Sequence, residues 1–199
     1  MSVQVYVEVE RRSFDRAQGD VLIAGIFADE RPVRGAAGAV DWRLCGPVSR
    51  CLVSGKLEGK IGEAVLLSTY ARLLVPRVLL LGLGDRALFT PHDIQVVTRE
   101  AVGRALELGA RRLVLEPLGV DDADFPDHVD AVLGATLEAA KAFEVEMLLC
   151  LLLRGDDRVQ TAAALRAAVS GAKRGSIRLV TEKPRAVRPR APKVASPAP

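Results

Sequence analysis

The chain has 199 residues, of which 49% are apolar, 27% charged and only 4% aromatic, a balance that excludes a disordered or fibrous polypeptide and implies one globular domain with an aliphatic core. Its longest strongly apolar run, Met147 to Leu153, is far short of the ~20 residues needed to span a bilayer. The net charge of +3 is concentrated at one end, because Lys183, Arg185, Arg188, Arg190 and Lys193 against Glu182 give residues 182–199 a charge of +4 and leave the rest near −1.

In chain order, Val3 to Val9 alternates polar with apolar residues and predicts a half-buried strand at a sheet edge. Val21 to Phe27 is nearly all apolar and predicts a strand buried on both faces. Val40, Leu44, Val48 and Leu52 recur every fourth position, which predicts one helix from Gly38 to Val53 with a kink or late start at Pro47. Ala64–Ser68 and Arg77–Leu81 are expected as strands joined by a turn near Arg72. Thr90, Pro91 and Asp93 mark a helix start with an N-cap, a proline at the first turn and a capping-box acid. That helix carries Ile94, Val97, Ala101, Ala105 and Leu108 on one face and ends near Gly109. A short strand at Arg112–Leu115, a helix through Val129, Leu133, Leu137 and Ala140, and an apolar strand from Glu146 to Leu153 follow. A last helix through Val159, Ala162, Leu165 and Val169 leads to a strand at Ile177–Val180.

Apolar strands alternating with helices require a mixed, mostly parallel sheet covered on both faces. The expected fold is α/β, a three-layer α/β/α domain over residues 1–181, followed by a disordered, basic, proline-rich tail over 182–199. The amino terminus has no basic start followed by an apolar stretch, so no signal peptide is expected and the protein is expected to be cytoplasmic, without a membrane partner. Three cysteines, Cys45, Cys51 and Cys150, sit among apolar residues and are expected to be buried free thiols. With only His92 and His128 available, no metal site or cofactor is expected.

The run GDVLIAGIFADERPVRGAAGAVDWRLCG, the spacing from it to GKLEGKIGE, and the later PRVLLLGLGD resemble the amino-terminal domain of the cytosol-type leucyl aminopeptidases over about residues 20–170. The resemblance implies a macrodomain-like three-layer fold. It also implies that metal-dependent chemistry in the family resides in a separate carboxy-terminal domain, to which nothing in residues 146–199 is similar. No catalytic residue carries over, and the chain is expected not to be an enzyme.

Several segments suggest ligands and are weighed against simpler roles. Gly82-Leu83-Gly84-Asp85-Arg86-Ala87 follows a strand and fits a dinucleotide fingerprint, but Thr90 starts the helix too late, so a strand-end turn is the better account. Gly35 and Gly38 open a helix as a phosphate-cradling loop does, though the glycines serve close packing equally well. Gly35, Gly38, Gly82 and Gly84 are the candidate ligand-binding residues. Asp41, Trp42 and Arg43 are expected to form a buried, ion-paired anchor. Gly55 to Lys60 imitates a P-loop, yet its spacing is wrong and Ile61 stands where a Ser or Thr would be needed. Asp121, Asp122, Asp124 and Asp127 are expected to be a solvated loop with helix-start charges.

The expected function is that of a non-catalytic interaction, assembly or regulatory module, with a protein partner or self-association. The alternatives are a macrodomain-like binder of ADP-ribose or a related nucleotide, and a nucleic-acid-associated protein. The latter would act through Lys183, Arg185, Arg188, Arg190 and Lys193, which could neutralise phosphates but bring no aromatic to stack on bases.

Overall fold

The computed structural model describes residues 3–10, 14–121, 123–153, 158–171 and 176–180. The elements are β1 (Val5–Glu10), β2 (Val21–Phe27), α1 (Gly35–Arg43), α2 (Pro47–Val53), β3 (Ala64–Ser68), β4 (Arg77–Gly84), α3 (Pro91–Glu107), β5 (Arg112–Leu115), α4 (Phe125–Ala142), β6 (Met147–Leu152), α5 (Arg158–Gly171) and β7 (Ile177–Leu179). Tail residues 182–199 and Asp122 lie outside the described residues.

One mixed sheet runs in the order β3-β4-β2-β5-β6-β1-β7. All neighbours are parallel except β3 and β4, an antiparallel hairpin. Strand alternation sends side chains into two cores. Val21, Ile23 and Phe27 of β2 and Leu79, Leu81 and Leu83 of β4 face the helices α3, α4 and α5. Leu22, Ala24 and Ile26, with Val78 and Leu80, face α1 and α2. Helices on both faces explain why the central strands are apolar throughout. Among the described residues no helix is long and apolar enough to cross a membrane.

Four expectations need correction. β1 is not an edge strand; it lies between β6 and β7, parallel to both. Its alternation arises because Val5 and Val7 enter the core beneath the α3–α5 side, whereas Tyr6 and Glu8 on the other face stay half-buried. The predicted helix at 38–53 is two helices, broken where Cys45 (φ 64°) and Gly46 (φ 86°) take left-handed backbone. The turn lets Pro47 serve as the first residue of α2, where its missing N–H costs nothing.

Trp42 is not a buried anchor: it is 81% exposed. It lies two residues from the buried Val40, about 200° around a helix at 100° per residue and so on the opposite side. Asp41 instead caps α2, accepting hydrogen bonds from the Val48 and Ser49 amides at 2.7 and 3.0 Å. Finally, only Cys150 of the three cysteines is buried; Cys51 is half-buried and Cys45 exposed. Burial, then the nearby Glu8 carboxylate, pushes the Cys150 thiol far above its ordinary range.

The helix start at Thr90 is as expected, with its amide and hydroxyl donating to Asp93 at 2.8 and 2.6 Å.

Candidate functional site

The carboxyl ends of the parallel strands β2, β4 and β5 open into a polar cleft of about 600 Å³. Ligands in open α/β sheets settle at such strand ends. One wall is the turn from β2 into α1, with Asp29, Glu30, Arg34 and Gly35; the other includes Arg86 and Glu116. Arg86 organises the mouth. Its guanidinium lies 4.7 Å from the centre of the Phe27 ring and reaches Glu30 at 3.5 Å and Asp121 at 3.2 Å. Its amide donates to Asp29 at 3.0 Å. Phe27 in turn meets Phe89 edge-on at 5.3 Å, so the cation is stacked as well as paired.

The helix-start amide at the head of α1 is occupied. Glu116, the first residue after β5, sends its carboxylate to the Ala36 N–H at 2.7 and 2.9 Å. Gly35 has a left-handed backbone (φ 64°), and a side chain there would come within 2.8 Å of that carboxylate. The geometry of an anion site at a helix N-terminus is present, and the anion is the chain's own.

A second case lies in the segment that imitates a P-loop. The amides of Glu58, Gly59 and Lys60 converge on one oxygen of Glu63 at 2.8, 2.8 and 3.1 Å. These bonds, the Glu58 amide foremost, hold the Glu63 carboxyl below its ordinary value.

Of the four candidate glycines, only Gly35 lines the cleft among the described residues. A side chain on Gly38 would strike the Val33 carbonyl, and one on Gly82 the Lys60 carbonyl. Gly84 takes φ 77° and donates to the Gly59 carbonyl at 2.8 Å. Gly82 and Gly84 are thus the last residues of β4 rather than the expected turn, they are covered by the 59–63 loop, and α3 starts only at Pro91. Of the described acids in the 121–127 run, Asp121 reaches the cleft, and Asp127 sits in the first turn of α4, where the helix dipole favours it. Among the described residues no group of three or more His, Cys, Asp or Glu side chains is placed to hold a metal ion. The five tail cations lie outside the described residues.

Glu116, Glu63 and Arg86 were not singled out from the sequence. For Glu116 one signal was available: a lone acid ending an apolar strand, just before Pro117.

The model of the cytosol aminopeptidase family's N-terminal domain matches residues 23–133, more than half of the chain. The chain belongs to the cytosol aminopeptidase family. The probable cytosol aminopeptidase of Stenotrophomonas maltophilia is 32% identical over 156 residues, covering 72% of this chain and 31% of that protein. The chain spans less than a third of the length of this and other curated cytosol aminopeptidases it matches. A mutant of tomato leucine aminopeptidase superposes with a TM-score of 0.65 at 16% identity, over 84% of this chain and 36% of that one. A Trypanosoma brucei macrodomain solved with ADP-ribose gives 0.62 at 18% identity, over 82% of this chain and 68% of that one. At such identities the likeness is one of fold. The cytosol aminopeptidase N-terminal domain present here is thus a macrodomain-like α/β domain.

Proposed function

We propose that this domain is a non-catalytic assembly module of the cytosol aminopeptidase type. The observation that carries the reading is the self-occupation of its anion sites. The Ala36 amide at the head of α1 and the three converging amides of Glu58, Gly59 and Lys60 are places a phosphate could take, and Glu116 and Glu63 already fill them. A ligand phosphate at α1 would have to displace a doubly accepting carboxylate and then sit beside its charge. That opposes the nucleotide-binding reading, even though the cleft lies at the strand ends of a fold that, in the Trypanosoma brucei protein, was solved with ADP-ribose. Around the cleft, Arg86 is committed to Glu30, Asp121 and the Phe27 ring, which leaves it a structural cation rather than a reactive one.

The test is an aminopeptidase assay of the purified chain with leucine 4-nitroanilide and added zinc or manganese. The expected outcome is no turnover above the metal-free control; metal-dependent turnover would overturn the reading.

A further inference from the structure

We infer that the outer edge of β3, paired with no strand among the described residues, is a self-association surface, pairing antiparallel with β3 of a second copy about a two-fold axis at Leu66. This rests on the assembly reading above and names its surface and its partner.

The ladder fixes which groups are free. Glu63 accepts from Gly82 at 2.9 Å and Thr69 donates to Pro76 at 3.0 Å. With Leu66 opposite Leu79 in an unbroken register, the odd-numbered residues of the strand bond to β4. The even-numbered Ala64, Leu66 and Ser68 therefore aim their N–H and C=O groups away from the sheet. Opposed about Leu66, two such edges are complementary: Leu66 meets its own counterpart, and Ala64 of each copy meets Ser68 of the other.

Side chains point the same way. From Ala64 to Ala71 the chain has no charge and no proline, the devices that usually blunt an edge. The opposite edge, β7, is three residues long and carries Arg178. Exposed apolar residues gather around β3: Ile61 (58%), Leu66 (44%), Tyr70 (84%) and Leu74 (58%). Strand pairing alone would fall short of the ~1,000 Å² of a stable interface. The antiparallel two-fold extends it by bringing the Ile61 end of each copy beside the Tyr70 and Leu74 end of the other, in two equivalent places.

Sedimentation equilibrium of the full chain at micromolar concentrations should give twice the chain mass. Leu66→Lys places a charge at the axis. Ala64→Pro removes an outward donor and leaves the bonds to β4 intact. Each should raise the dissociation constant at least tenfold with the circular dichroism spectrum retained, whereas Trp42→Ala should not change it. In the unaltered chain, hydrogen exchange at the Leu66 and Ser68 amides should slow as concentration rises. A monomer at every concentration, a dimer indifferent to both substitutions, or exchange independent of concentration overturns the inference. None of these outcomes bears on peptidase turnover, so the two readings fail separately.

Discussion

Glu116 meets Ala36 across 80 positions of sequence; its place as a lone acid at the end of an apolar strand marks it locally, but that distance hides its partner. Its two short bonds to one amide are charge-assisted, a class that contributes more than neutral hydrogen bonds do. Removing the carboxylate leaves the helix-start amide of the buried Ala36 unpaired. Glu116→Ala is therefore expected to lower stability by about 1.5–3 kcal/mol, a figure for hydrogen bonds to charged groups, measured by urea unfolding. The unaltered chain is expected to show no saturable heat when titrated with ADP-ribose. Trp42, by contrast, is legible at this scale: a helical wheel anchored on the buried Val40 and Leu44 turns it outward. The expectation of an anchor follows from the flanking Asp41 and Arg43, whose charges say nothing about the direction of the ring.

At the level of elements, the loop from Gly59 to Glu63 decides what the Gly82–Gly84 end of β4 can be. It lies over both glycines, and Gly84 and Gly82 donate to Gly59 and Glu63. Glu63 organises that loop through three amides, and its carboxyl is held below the ordinary value of 4.5. A depressed folded value means the stabilisation is fully present above about pH 4.5 and is lost as pH falls through the lower folded value. The difference in melting temperature between the unaltered chain and Glu63→Gln should therefore be constant near neutrality and shrink in acid; a difference unchanged down to pH 3 would refute this. Periodicity recognised the helical residues of 38–53 and Pro47 marked an interruption, but the left-handed turn at Cys45 and Gly46, across which Asp41 reaches forward to cap α2, carried no local signal. Where the capping signal was local, as at Thr90 and Asp93, the boundary was read directly.

Across the whole molecule, two cores share one sheet, so neither can melt without exposing the other. Leu80 faces α1 and α2, Leu113 faces the α3–α5 side, and both are fully buried. Leu80→Ala and Leu113→Ala should each cost about 2–5 kcal/mol. Both should shift a single unfolding transition; two separable transitions in calorimetry would show independent cores. The seven-strand order places unequal edges at the two ends of this sheet. β7 is short and charged, while β3 is uncharged and ringed by exposed apolar residues, and the proposed pairing through β3 rests on that asymmetry.

Apolar strands, helical periodicity and the Thr90 cap determined the elements and the three-layer class, because each depends on residues within a few positions of one another. The aminopeptidase-like segments determined the family for the same reason. Strand order, the filling of the α1 terminus by Glu116, the burial of Gly82 beneath the 59–63 loop and the exposure of the β3 edge were decided only by the tertiary structure. They depend on contacts between segments far apart in the chain, which local patterns cannot specify.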